Sequence, residues 1–212
     1  MFLHVESIEK HFFGIKGLNI YSLNPFFPID AIYKVALNDH TPSLIIENKV
    51  LYNFDLEKIN SNKYKNFIFK NYYEDNNFYT IFSLNEFKND EFTIICYGGM
   101  VDIVLSAALE FFLETEISVR VVLMSKLCPF KSNNLTNFIA EKGPIITVEE
   151  SGKYFGFGSE IGSYLIEKGI LKSRNFLRLS SKDEIIPSSY FQEQKMLISQ
   201  KDILEALKNY LK

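Results

Sequence analysis

An α/β protein, with a mainly parallel sheet covered by helices on both faces, is predicted by three observations. Short apolar runs such as residues 93–97 (TIICY) and 119–124 (VRVVLM) recur between stretches of helical spacing. Glycines fall where one kind of segment gives way to the other, at Gly98–Gly99, Gly143, Gly156 and Gly158. The runs are also nearly continuous in apolar residues instead of alternating, which is how strands buried on both faces read.

Residues 18–23 (LNIYSL) read as a short strand after Gly17. Residues 28–37 place Ile29, Ile32, Tyr33 and Ala36 at helical spacing behind Pro28, which a helix start tolerates. Residues 43–46 are apolar and short enough for a buried strand, completing a strand–helix–strand unit. Residues 53–91 are rich in Asn, Lys, Asp and Tyr and lack a long period. They read as a connector with a short hairpin near 67–82 that packs over a domain surface, since a bare loop of that length is unusual.

From residue 92 the alternation is regular. A strand at 93–97 meets the Gly98–Gly99 turn, and a helix at 101–113 aligns Val101, Val104, Leu105, Ala108 and Phe112 on one face. A strand at 119–124 leads to a short helix at 135–141, stopped by Gly143–Pro144. A third strand spans 145–148, and a helix at 159–168 carries Glu160 in its first turn, favourable at the helix's positive end. A fourth strand at 176–179 and an amphipathic helix at 202–211 close the chain.

The 212 residues suffice for a real core, and a hydrophobic fraction of 47% is ordinary for a globular protein. A net charge of −3 argues against a nucleic-acid footprint. Cys96 and Cys128 sit in apolar surroundings without metal-ligand spacing, as expected of reduced thiols. With no membrane-length apolar run and no signal-peptide pattern, a soluble cytoplasmic protein is expected.

The segment from Phe92 onward resembles the C-terminal domain of transketolase-like thiamine-diphosphate enzymes, and most of all the beta subunit of 2-oxo acid dehydrogenase E1 components. The marks are Thr93-Ile94-Ile95-Cys96-Tyr97-Gly98-Gly99-Met100, then Pro129, Thr147-Val148-Glu149-Glu150, and Phe155-Gly156-Phe157-Gly158-Ser159-Glu160-Ile161. The first fifty residues are similar to the second half of that family's pyrimidine-binding domain. There the marks are His4, Ser7-Ile8-Glu9, Phe12, Gly17-Leu18, Pro25, Asp30-Ala31, Pro42, residues 44–49 (LIIENK) and Leu51-Tyr52. The resemblance implies residues 1–52 as a partial pyrimidine-binding domain, 53–91 as connector and 92–212 as a transketolase C-terminal-like domain. Met124-Ser125-Lys126 departs from the family's Asp-x-Arg-Thr stretch.

The resemblance also implies function. The family decarboxylates 2-oxo acids on thiamine diphosphate with Mg²⁺ and passes the acyl unit to an acceptor. His4 matches its active-site histidine, a residue able to move a proton near neutrality; the plain alternative is a terminal histidine without a role. Ala36, Leu37, Asp39 and Thr41 match a turn that can hold K⁺, the alternative being an ordinary Asx turn. The first half of the pyrimidine domain and the diphosphate-binding domain are not matched. Activity is therefore expected only with an alpha-type subunit, in a homodimer or larger assembly with acyltransferase (E2) docking. A non-catalytic assembly module derived from the family is the competing reading, and a transketolase or deoxyxylulose-phosphate synthase type ranks third.

Three local readings need no family. Gly98–Gly99 lacks both G-x-G-x-x-G and the Walker lysine, so a tight turn is expected in place of a phosphate loop. Glu149 and Glu150 are adjacent on a strand and point to opposite faces, so they are expected to satisfy neighbouring backbone donors or mark an interface. His11 is expected to pack and not to ligate metal, as His4 and His11 lack a third ligand.

Overall fold

The computed structural model describes residues 7–49, 51, 64–84, 86–87, 89–129, 134–182, 184, 189, 192 and 195–211. Nine strands are present among them: β1 (Asn19–Ser22), β2 (Ser43–Ile46), β3 (Ile68–Glu74), β4 (Asn77–Ser83), β5 (Phe92–Tyr97), β6 (Val119–Met124), β7 (Lys126–Cys128), β8 (Ile145–Gly152) and β9 (Phe176–Ser181). The helices are α1 (Ile29–Asn38), α2 (Val101–Thr115), α3 (Leu135–Phe138), α4 (Phe157–Glu167) and α5 (Gln200–Asn209).

The larger sheet has the order β3-β4-β6-β5-β8-β9. Its core is parallel, with Ile94 of β5 facing Val121 of β6 on one side and Ile146 of β8 on the other. Strand β4 joins β6 antiparallel. Side-chain alternation sends Ile94, Cys96, Val121 and Leu123 into one cluster with Val104, Leu105 and Phe111 of α2 and Ile203 and Leu207 of α5. Their neighbours Ile95, Tyr97, Val122 and Met124 enter the other cluster with Phe157, Ile161 and Leu165 of α4. Both faces are thus covered, which is why these strands carry so few polar residues. Helix α5 starts in a capping box, where Ser199 Oγ accepts from Asp202 N–H and the Asp202 carboxylate accepts from Ser199 N–H at 2.8 Å.

A smaller sheet, β2-β1-β7, pairs β1 with β2 in parallel and with β7 antiparallel. Ile32 and Ala36 of α1 cover it together with Tyr21 and Phe78. The two sheets meet at one continuous stretch of chain, because β6 passes into β7 through Ser125 alone. There Ser125 N–H donates to Phe78 O at 3.0 Å and Ser125 O accepts from Ser22 N–H at 2.7 Å.

Three differences from the sequence expectation have physical causes. The segment read as a connector supplies β3 and β4 to the large sheet itself, with β4 buried along its whole length. Most of its Asn, Lys and Asp residues fall outside the two strands, and β3 is an edge strand with every residue exposed. Helix α3 is a single turn, ending at Phe138, where Ile139 turns extended and is buried. Strand β7 has three residues, one of them Lys126, too few to show a period. Among the described residues no helix is long and apolar enough to cross a membrane.

Candidate functional site

In open α/β sheets the ligand crevice lies beyond the carboxyl ends of the strands, where successive crossovers diverge. Helix α2 carries the chain from β5 to β6 on one side, and the next crossover reaches β8 on β5's other side. The switch point is therefore at Tyr97-Gly98-Gly99 and residues 149–152.

Gly98 takes φ +54°, a conformation L side chains rarely adopt, and a Cβ there would lie 2.9 Å from Ser22 Oγ. At Gly99 a Cβ would collide with the Asn48 amide, which itself donates to Glu150 Oε2 at 3.0 Å. The space above this turn is filled by Ser22 and Asn48 of the same chain. It is a close-packing turn between the two sheets and leaves no cradle for a phosphate.

Behind the turn lies a buried polar cluster. Glu149 is fully buried; its Oε1 accepts from Gly158 N–H at 3.1 Å and its Oε2 from the Ser151 hydroxyl at 2.7 Å. The glycines of 155–158 have a concrete reason here. A Cβ at Gly156 would strike the Glu149 carboxylate, and one at Gly158 would lie 2.8 Å from its Oε1. The carboxylate thus meets the positive start of α4. Burial pushes its carboxyl above the ordinary value, the Ser151 hydroxyl and the Gly158 and Phe157 N–H groups oppose that, and the charge of Glu9 adds to it.

Glu9, also fully buried, lies in a 3-10 turn (Glu9–Phe12) and accepts a short hydrogen bond from the Tyr97 hydroxyl. The Ser7 hydroxyl reaches both carboxylate oxygens, at 2.8 and 2.7 Å. Burial, then the Glu9 charge, holds the Tyr97 phenol well above its usual range. The Tyr97 ring packs edge-on against Phe157 at 5.0 Å. Glu9, Tyr97, Ser151 and Glu149 form a positioning cluster that fixes residues 7–12 against the strand ends. In the sequence Glu9 and Tyr97 carry no evident role; a carboxylate following Ile8 and three residues before Phe12 is the one local signal.

His4 lies outside the described residues. His11 is exposed. At the turn after α1, Asp39 Oδ1 accepts from Thr41 N–H at 3.2 Å and Oδ2 from the Asn19 amide at 3.1 Å. The Thr41 bond first, with help from Asn19 and Lys126, holds the Asp39 carboxyl below the usual carboxylate range. Ala36 is buried, Leu37 is 80% exposed, and Thr41 O accepts from the Ser43 hydroxyl at 3.3 Å. The Asp39 carboxylate oxygens and Thr41 O accept from the chain's own donors, as in an Asx turn. Among the described residues no group of three or more His, Cys, Asp or Glu is placed to hold a metal ion.

Residues 85–203, more than half of the chain, match the family described as transketolase, C-terminal domain. The beta subunit of the pyruvate dehydrogenase E1 component from Staphylococcus epidermidis is 28% identical over 212 residues, covering 97% of this chain and 59% of that one. Its counterpart from Cyanidium caldarium is 26% identical over 214 residues, covering 98% and 60%. The chain therefore spans about three fifths of the length of these relatives. Among solved structures, a split-gene transketolase described as an inactive beta4 tetramer superposes with a TM-score of 0.68 at 20% identity, over 95% of this chain and 60% of that one. Transketolase from Campylobacter jejuni superposes at 0.58 and 14% identity, over 96% and 28%. At such identities these structures speak for the fold, and the sheet order and strand-end turn described above agree with it. The chain belongs to the transketolase C-terminal domain family.

Proposed function

We propose that this chain is a beta-subunit-like component of a thiamine-diphosphate enzyme of the 2-oxo acid dehydrogenase or transketolase type. The observation that carries the reading is the extent of the match to E1 beta subunits, which runs over 97% of this chain. In this reading residues 1–52 form the later part of a pyrimidine-binding domain and 92–212 the C-terminal domain, with 53–91 running between them and adding β3 and β4 to the large sheet. An alpha-type subunit holds the diphosphate and Mg²⁺, and the assembly contains at least two copies of this chain. When bound, the cofactor supplies the carbon nucleophile and electron sink for decarboxylation.

The chain's own contribution is positional. Glu9 anchors residues 7–12 onto Tyr97, and in this reading His4 serves an active site shared with the partner. An imidazole there would donate or accept a proton at the substrate oxygen. Docking of an acyltransferase to the C-terminal domain belongs to the same reading.

Mixing the purified chain with an alpha-type subunit and thiamine diphosphate tests it. Decarboxylation of a 2-oxo acid is expected from the mixture and not from this chain alone, with a loss of about a hundredfold or more on His4→Ala. Stable binding without turnover would instead establish the non-catalytic assembly module. Turnover by this chain alone would defeat both readings.

A further inference from the structure

Strand β3 ends the large sheet, and among the described residues no strand pairs with its outer side. It is seven residues long, pairs with β4 at every position without a bulge, and is exposed throughout. Ile68 is 43% exposed, Phe69 41%, Tyr72 38% and Tyr73 53%. Folded proteins blunt such edges with proline, bulges, short length or clustered lysines. Strand β3 has no proline and a single lysine.

The hydrogen-bond parity of this edge can be read from the structure. Ser125 N–H donates to Phe78 O at 3.0 Å, so the Phe78 peptide faces away from β3. The peptides of Asn77, Tyr79, Ile81 and Ser83 therefore face β3, opposite Glu74, Tyr72, Lys70 and Ile68. What remains, the N–H and C=O groups of Phe69, Asn71 and Tyr73, points to the open edge.

We propose that this edge pairs antiparallel with the β3 of a second copy of the chain, about a twofold axis at Asn71. Asn71 is the midpoint of Ile68–Glu74, so this register overlaps the whole strand. It sets Phe69 opposite Tyr73 of the second copy and Asn71 opposite its own counterpart, and every outward N–H meets an outward C=O. Centring on Lys70 would place like charges face to face. Centring on Tyr72 would leave the Phe69 groups against the Asp75–Asn76 turn.

The side chains agree with the same register. One face carries two aromatic pairs, Phe69 with Tyr73 in each direction. The other places Lys70 opposite Tyr72 of the second copy, with that copy's Glu74 as its diagonal neighbour, so opposite charges meet twice across the axis. Strand β3 is self-complementary in hydrogen bonding, in ring contact and in charge. The surface is distinct from the switch-point cluster and does not depend on the proposed activity.

The test is sedimentation equilibrium of the full chain and of charge variants at position 72. Tyr72→Lys sets a lysine opposite Lys70 of the second copy, twice per dimer, whereas Tyr72→Glu sets a glutamate there. Both lose the same ring contact with Phe138, at 4.7 Å, so a shared folding penalty cancels, and circular dichroism melts check that each folds. The dimer of the Lys variant is expected to be about tenfold weaker than that of the Glu variant. Adding Lys70→Glu to Tyr72→Lys is expected to restore association. Equal affinities for the two variants, no restoration in the double variant, or a wild-type chain that does not self-associate would each overturn the proposal.

Discussion

Glu149 is a carboxylate that folding takes out of water and then partly compensates, with the N–H groups at the start of α4 and one serine hydroxyl. Because burial raises its pKa above the ordinary 4.5, the folded state binds that proton more tightly than the unfolded chain does. Above pH 4.5 and up to the raised value, the folded state holds more protons, so this group's contribution to stability falls as pH climbs through that window. Urea unfolding across the window is expected to give a falling stability for the native chain and a flatter dependence for Glu149→Gln. An unchanged slope would mean the carboxyl does not titrate as argued. The residue's task was legible in the sequence, since a glutamate at a strand end before a glycine-rich helix start needs backbone donors. The bond from Tyr97 to Glu9 was not legible, because it joins residues 88 apart that no period or local motif connects.

At the level of elements, the seam between the β3–β4 hairpin and the parallel strands depends on Asp90. Its carboxylate accepts from Ser83 and Ser118 hydroxyls at 2.8 and 2.6 Å and from Arg120 Nε at 2.9 Å. Arg120 also donates to Phe87 O, so the loop after β4 is clamped to β6. The Asp90 side chain is fully buried and that of Arg120 is 15% exposed, so removing one partner strands a desolvated charge. Asp90→Asn is expected to cost about 3 kcal/mol or more in denaturant unfolding. The exposed Asp30–Lys34 pair on α1, at 2.7 Å, is screened by solvent, so Asp30→Asn is expected to leave the denaturant midpoint nearly unchanged. Similar costs for both would contradict the burial argument. Apolar spacing sufficed for β5, β6, β8, α2, α4 and α5, all of which bury regular faces. The hairpin expected near 67–82 is β3–β4, but its place in the large sheet was not legible because the exposed β3 carries no stripe; β7 was missed, being specified by its partner β1 and not by its own composition.

Across the whole molecule, the fold is legible in the sequence because turn glycines and apolar strands recur in a fixed order over most of the chain. That order does not reveal how the two α/β stretches are joined. The passage from β6 into β7 through Ser125 answers that: a single backbone run is hydrogen-bonded into both sheets. Covalent continuity between Leu51 and Tyr64 is then not what keeps the halves together. Residues 1–51 and 64–212 expressed as two polypeptides are expected to co-elute at the intact size, separating only in denaturant. Separation under native conditions would mean the splice at Ser125 is too weak to hold them. If it holds, a gene broken at that point would still yield one working particle from two polypeptides.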